Sequence, residues 1–320
     1  MALRTRLTER LGIRHPILQA PMGSSAGGAL AAAVSGAGGL GLIGGGLGLR
    51  EWFEPQFVAA GNQRVGCGFI TWGLAQRPDS LDVALAHSPA AIMLSFGDAA
   101  PFIPRIKEAG IPVICQVQTV AMAHEVLRLG ADIIVAQGAE AGGHGSRRGT
   151  LPLVPAVVDA VKASGRDALV VAAGGIADGR GLAAALMLGA DGALIGTRFH
   201  VAEESLASAA AKAKIMRAGG DDTVRTHVFD IGREARWPHE FTGRGLVNRF
   251  TQNWHGREAE LAADALEKAR YKQALVADDL DTAVVWASEG IDLIRDVEPA
   301  GTTVARIVAE AEAALARRFD

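Results

Sequence analysis

Eight short apolar runs punctuate the first two hundred residues, and none of them alternates between apolar and polar. They are Pro16–Gln19, Gly39–Ile43, Val65–Phe69, Ala91–Leu94, Pro112–Gln116, Asp132–Ala136, Ala168–Ala172 and Gly192–Ile195. Continuous apolar runs of this length are what parallel strands buried on both faces require. Between them lie alanine-rich stretches with helical spacing: Gly28–Ser35, Trp52–Ala60, Ser80–Ala86, Phe102–Ala109, Val120–Leu129, Val154–Ala163 and Gly179–Leu188. Several of these close in the same way, on "EAG-I-P", "RLGAD" or "MLGAD". In each a glycine ends the helix, as left-handed C-caps favour, and an aspartate or proline leads into the next strand. Eight repeated βα units predict closure into a (β/α)₈ barrel. A doubly wound open sheet is the weaker fit. It usually has fewer strands, and the glycine-rich segments Gly36–Gly41 and Gly44–Gly48 lack the strand–turn–helix and later acidic partner of a dinucleotide fingerprint.

After Phe199 the rhythm stops. Val201–Ala218 reads as a helix, a polar stretch runs from Gly219 to Gly256, and Glu258–Val276 reads as a second helix. Thr302–Phe319 is amphipathic, with Ile307, Ala311, Ala314 and Leu315 on one side. The expected division is a barrel formed by residues 1–200 and 285–320, with a smaller, mostly helical cap, 201–284, inserted after the eighth strand.

Composition narrows the classes. Of 320 residues, 49% are hydrophobic, enough for a large core, and 40 are glycine, well above the usual ~7%. The glycines cluster without a triplet repeat, so they are expected at tight turns and where backbone approaches a ligand. A formal charge of −3 gives no electrostatic footprint for nucleic acid or an anionic membrane. The longest apolar run, Leu182–Ile195, is broken by Gly189, Asp191 and Gly192, so no transmembrane helix is expected. Met1–Arg14 carries Arg4, Arg6, Glu9, Arg10 and Arg14 with no apolar stretch behind them, unlike a secretory signal, and the expected location is cytoplasmic. Cys67 and Cys115 sit in strand-like runs, too few for a disulfide scaffold and without metal-ligand spacing; no metal is expected.

Barrel active sites lie at the C-terminal ends of the strands, and four strand ends here are unusual. The first reads Gln19-Ala20-Pro21-Met22-Gly23-Ser24, a tight turn against which a planar ligand can lie. The sixth reads Gln137-Gly138-Ala139-Glu140-Ala141-Gly142-Gly143-His144-Gly145-Ser146. His144 is its one side chain with a proton equilibrium near neutrality, and Glu140 is a candidate to orient the imidazole. The seventh and eighth, Gly174-Gly175 and Gly196-Thr197-Arg198-Phe199, occupy the loops that hold phosphate in this fold, where backbone N–H groups and helix N-termini converge. Gln116 and Gln118 after the fifth strand are further candidates. Trp52 and Trp286 read as helix packing, whereas Trp237, Trp254, His239 and His255 are less favoured candidates to face the pocket from the cap.

Three segments together carry a family resemblance: "PILQAPMG" at Pro16–Gly23, "AQGAEAGGHGS" at Ala136–Ser146, and "AAGGIADGRGLAAALMLGADGALIGTRF" at Ala172–Phe199. They resemble the nitronate monooxygenases (2-nitropropane dioxygenases), FMN-dependent TIM barrels, and the related flavin-dependent enoyl-ACP reductases. The resemblance implies that Met22, Gly23 and Ser24 line the flavin and that Gln137 and Gly142 contact it; Ala20, Pro21, Gln116 and Gly143 stand beside them as candidate cofactor-binding residues. It further implies that Gly174, Gly175, Gly196 and Thr197 hold the phosphate and that His144 is catalytic. After the third strand, where many members carry an asparagine, this chain reads Phe69-Ile70-Thr71-Trp72-Gly73, with Thr71 in its place to offer a hydroxyl. The implied reaction is oxidation of alkyl nitronates, or of nitroalkanes, with O₂ to a carbonyl compound and nitrite. An NAD(P)H-dependent reductase acting on a quinone or enoyl thioester is the open alternative, and self-association as a homo-oligomer is also left open.

Overall fold

The computed structural model describes residues 3–317. Eight parallel strands close into a barrel: β1 (Ile17–Gln19), β2 (Leu40–Gly46), β3 (Gly66–Ile70), β4 (Ile92–Ser95), β5 (Val113–Val117) and β6 (Ile133–Gln137), then β8 (Leu169–Ala173) and β9 (Gly192–Ile195). The seam is the pairing of β1 with β9, in which Leu18 lies beside Leu194. Side chains fill the lumen in layers, among them Leu18, Leu40, Leu42, Met93, Ile114, Ile133, Val135, Leu169, Val171 and Leu194. A second apolar layer, including Ile43, Phe69, Leu94, Val113, Leu127, Leu153 and Val157, lies between the strands and the outer helices. The expected barrel is present, and both faces of each strand are buried, which is why the runs are continuously apolar.

The "GAD" endings have a double use. Gly130 closes the helix Val120–Leu129 at φ +86°, in the left-handed region. Two residues on, the Asp132 carboxylate accepts from Val113 N–H at 2.9 Å, at the start of the neighbouring strand. Asp191 repeats the contact with Val170 N–H at 2.9 Å. The same triplet therefore ends one helix and caps the edge of the adjacent strand.

The seam is covered by the helix Ala300–Leu315, which packs on the helices Gly179–Met187 and Gly28–Gly36. The contact is close because Gly179 has no side chain: a Cβ there would lie 2.3–2.4 Å from Glu310, Ala311 and Ile307. The sequence predicts a last helix to Phe319, but it ends at Leu315, with Ala316 in a turn; residues 318–320 lie outside the described residues.

The cap contains five short α-helices between Ala209 and Val276 and, in addition, strands that were not expected. Val201–Ala218 is helical only over Ala209–Arg217. The polar stretch contains β10 (Thr223–Thr226) and β11 (Thr242–Leu246), which form an antiparallel sheet with β7 (Gly143–Gly145) in the order β10-β11-β7. β7 belongs to the loop after β6, so the cap is stitched to the barrel by main-chain pairing, with Gly243 opposite His144. These strands look polar because Arg225 and Arg244 turn their guanidinium groups onto the loop: Arg225 donates to Ala139 O (2.9 Å) and Ala141 O (2.8 Å), and Arg244 to Ala139 O (3.1 Å). Burial pushes the Arg225 pKa down to about 10. No helix among the described residues is long and apolar enough to cross a membrane.

Candidate active site

Strand ends and cap meet at His144. Its backbone carbonyl accepts from Gln137 Nε2 at 3.0 Å, and Gln137 Oε1 in turn accepts from Gln118 Nε2 (2.8 Å) and Gln116 Nε2 (3.2 Å). Three glutamines from the ends of β5 and β6 thus fix one another and anchor the loop that carries the histidine. These bonds also commit much of their hydrogen-bonding capacity within the protein.

The imidazole is oriented from the cap. His144 Nε2 lies 2.9 and 3.1 Å from the two carboxylate oxygens of Asp230, and both side chains are buried. Asp230 sits in the short helix Val228–Gly232 and is also held by Arg233 at 2.6 Å. Burial alone would raise the Asp230 pKa, but the hydrogen bond and charge of His144 and those of Arg233 outweigh it and hold it below the usual carboxylate range. For His144, burial dominates and lowers the pKa below 6.5 despite the hydrogen bond and charge of Asp230; Arg233 and Arg225 lower it further. Near neutral pH the pair is therefore a carboxylate and a neutral imidazole. A carboxylate can only accept, so Nε2 carries the proton and Nδ1 is left with a free lone pair. Glu140 does not take this part. Its carboxylate accepts instead from Thr150 N (2.9 Å) and Thr150 Oγ1 (2.7 Å).

Aromatic rings surround the imidazole. Trp237 stacks on it, with centroids 3.4 Å apart and planes within 4°. Trp286, expected to be helix packing, lies 5.2 Å away. It fits because residue 243 is glycine, where a Cβ would come within 2.5 Å of its ring. Trp52 does pack a helix, donating its Nε1–H to Gly44 O at 2.9 Å. Trp254 lies under Arg257, and His255 faces Thr226 at 3.0 Å. His239 stacks on His227 at 4.7 Å beside the paired strands β7 and β11, in a cleft of about 360 Å³ lined by Ser146, Arg147, His227, His239, Glu240 and Thr242. A cleft of about 480 Å³ lies elsewhere on the cap, between Arg249, Phe250, Arg270 and Thr282, and shares none of the groups around His144.

The other expected residues collect at the same end of the barrel. Pro21 packs over Gly68 of β3, and Ala20 and Met22 lie beside Gly196, within 3.8 Å of where its Cβ would be. Gly23 faces open space and Ser24 is exposed at the rim. Thr71 is fully buried at the end of β3. Gly174 and Gly175 have φ of +111° and +72°. A Cβ on Gly174 would lie 2.7 Å from Thr150 Oγ1, and one on Gly142 would lie 2.7–2.9 Å from Ala287, Ser288 N and Thr197 Oγ1. Thr197 Oγ1 accepts from Ser288 N–H at 3.2 Å, so the segment after the cap closes over the glycine loops, a contribution nothing local in the sequence announced. Gly143, in contrast, has open space where a side chain would be.

A sequence profile described as nitronate monooxygenase matches residues 4–53 and 70–310. A nitronate monooxygenase of Neurospora crassa is 33% identical, with 92% of this chain and 89% of that protein covered. The (3aS,4S,5R,7aS)-5-hydroxy-7a-methyl-1-oxo-octahydro-1H-indene-4-carboxyl-CoA dehydrogenase of Mycobacterium tuberculosis is 38% identical over 84% of this chain and 74% of its own. Among solved structures, FabK of Thermotoga maritima superposes with a TM-score of 0.84 at 31% identity, covering 97% of both chains.

Proposed function

Because the chain belongs to the nitronate monooxygenase family, we propose that it oxidises alkyl nitronates with O₂ on bound FMN, releasing a carbonyl compound and nitrite. It is an oxidoreductase of that family; the substrate, the identity of the flavin and the residue roles are the proposal. The observation that carries it is the buried His144–Asp230 pair with its free Nδ1 at the strand ends.

The residues present fit a flavin. Gln19 Oε1, Thr71 Oγ1 and Trp72 Nε1 are buried at the ends of β1 and β3 with no partner in the protein, and buried polar atoms of that kind call for one. A flat ligand with a polar edge would supply it. On the opposite side, Gly142 and Gly174 sit where a Cβ would crowd the loops and Gly196 leaves its backbone without a side chain beside Ala20 and Met22, which suits a phosphate held by main-chain N–H groups. Ala20, Pro21, Met22 and Thr71 would border the ring, Gln137 its edge, and Gly174, Gly175, Gly196 and Thr197 the phosphate. Bound FMN would supply the redox chemistry, accepting electrons from the nitronate and passing them to O₂.

This chain's own residues do the rest. For a neutral nitroalkane, Nδ1 of His144 takes the proton from the α-carbon, and Asp230 steadies the imidazolium that forms. For a preformed nitronate no proton is taken, and His144 serves only as one wall of the site. The aromatic walls exclude water, which strengthens the interactions inside them.

A second reading, an NAD(P)H-dependent reductase of a thioester or quinone, is favoured by one feature. The cleft containing Arg147, His227 and His239 begins beside the paired strands β7 and β11 and offers the Arg147 guanidinium and side-chain hydrogen-bonding groups to a phosphate-bearing carrier. One experiment tests both: the purified flavin-loaded protein is mixed anaerobically with ethylnitronate or with NADPH or NADH, and the flavin spectrum is recorded. Spectral change with nitronate alone is expected. Rapid bleaching by reduced nicotinamide, with no response to nitronate, would replace the proposal by the second reading.

A further inference from the structure

Three of the chain's five tryptophans gather at His144, in a sequence that is only 5% aromatic. Their arrangement is ordered. The imidazole forms a floor on which the Trp237 indole lies parallel. Trp72 and Phe96 stand on edge against that indole at 5.5 and 5.1 Å, both at 77°. Floor and walls therefore make a slot with the dimensions of a flat aromatic ring, and an indole fills it.

The filling ring is held differently from its surroundings. The walls belong to barrel strand ends: Trp72 N–H donates to Phe96 O at 3.0 Å, tying β3's end to β4's. Trp237 instead rides on an irregular segment between Gly232 and Thr242, which has left-handed Glu234 (φ +54°) near its start and Phe241 against Phe96 (5.0 Å) at its end. The slot is built on rigid elements and its occupant on a connector.

We propose that this slot is the seat of a planar aryl group on the substrate, and that Trp237 is the gate such a group displaces. The proposal rests on the nitronate reading for the reacting carbon: an aryl group seated over the imidazole brings the carbon bonded to it to the edge of the same site. It makes arylnitromethane-type nitronates the favoured class and small alkyl nitronates poorer substrates.

The test uses flavin-loaded wild type, Trp237→Ala and Trp237→Phe. Initial rates are measured with the nitronates of phenylnitromethane and nitroethane, and calorimetry follows binding of unreactive 2-naphthoate and its saturated analogue decahydro-2-naphthoate. Removing the gate frees the floor of one stacked pair, so Trp237→Ala is expected to lower KM for the aryl nitronate about three- to tenfold. The ethylnitronate KM should move less, 2-naphthoate should tighten in parallel, the saturated acid should not, and Trp237→Phe should fall between. A KM that rises for both nitronates alike in Trp237→Ala, or 2-naphthoate binding no better than the saturated acid, would make Trp237 a fixed wall and overturn the proposal. Planar-selective binding without turnover of either nitronate would sustain the slot and overturn only the proposed reaction.

Discussion

Asp230 accepts a hydrogen bond from His144 Nε2 at 2.9 Å from a position 86 residues further along the chain. The contact joins a barrel loop to the cap and selects the tautomer in which Nδ1 is the base. Asp230→Asn keeps the shape but removes the charge, and its amide can donate to Nε2, placing the proton on Nδ1 instead. Turnover of neutral nitroethane is expected to fall roughly 10²-fold or more, the range of a general base's contribution. Turnover of preformed ethylnitronate should fall much less, since no proton is abstracted. Equal losses on the two substrates would show that Asp230 acts on folding or substrate entry rather than on the imidazole.

The pH profile follows from the same pair. His144 works as a base only when neutral, and burial holds its pKa below 6.5. kcat/KM for nitroethane is thus expected to rise from acid pH with an apparent pKa under 6.5 and to be flat at neutrality. With ethylnitronate the acid limb of kcat/KM should not follow His144. A nitroethane profile still rising above pH 7 would contradict a buried, neutral imidazole.

The glycine loops make a paired prediction. At Gly174 an alanine meets a left-handed φ of +111° and three close contacts, Thr150 Oγ1 at 2.7 Å, Gly138 O at 3.0 Å and Gly138 N at 3.2 Å. At Gly143 it meets a left-handed φ of +70° alone, with open space around it. Gly174→Ala is expected to cost about 1–3 kcal/mol of stability and to lose bound flavin on gel filtration. Gly143→Ala should cost about 1 kcal/mol and retain it. The flavin-to-protein absorbance ratio of the two purified variants checks this.

What the sequence made legible follows the physics of each part. The barrel could be read because eight doubly buried strands leave continuous apolar runs, and because the "GAD" endings mark both a helix stop and a strand cap. β2 ran longer than expected, to Gly46, since Gly44 and Gly45 look like turn residues but are glycine for closeness: a Cβ would lie 2.6 Å from Met22 O in one and from the Phe69 ring in the other. The cap sheet was not legible. In β11, Thr242-Gly243-Arg244-Gly245-Leu246, Gly243 admits Trp286, Gly245 admits Val285 and Phe229, and the arginine binds a loop carbonyl, so no apolar alternation survives. Asp230 was invisible for another reason: its partner is distant in sequence, while Glu140 stood four residues from His144 and had a different partner. The gathering of Trp72, Trp237 and Trp286 left only a compositional trace, since their spacing in the chain carries no period.

A last prediction concerns acid stability and a histidine outside the site. His200 lies at the end of the short helix Thr197–His200, where burial, reinforced by the nearby Lys212 ammonium, pushes its pKa down to about 4. Lys212 is itself tied to the carbonyls of Ala202 (2.7 Å) and Ser205 (2.9 Å), so it stays close to His200 at all pH values considered. The folded state therefore holds His200 neutral where the unfolded chain, near 6.5, would protonate it. Folding then binds fewer protons than unfolding, and stability rises with pH through this window. The contribution is complete above about pH 6.5 and is lost as pH falls toward 4; a shift of that size corresponds to about 3 kcal/mol. His144 is depressed in the same direction and adds to the loss, while Asp230, held low, gives way only at more acid pH. Replacing His200 by asparagine removes the titration at the cost of some packing. Urea midpoints measured at pH 7 and pH 4.5 should then differ less in His200→Asn than in wild type, even if both midpoints are lower. An undiminished difference would place the acid sensitivity in other groups.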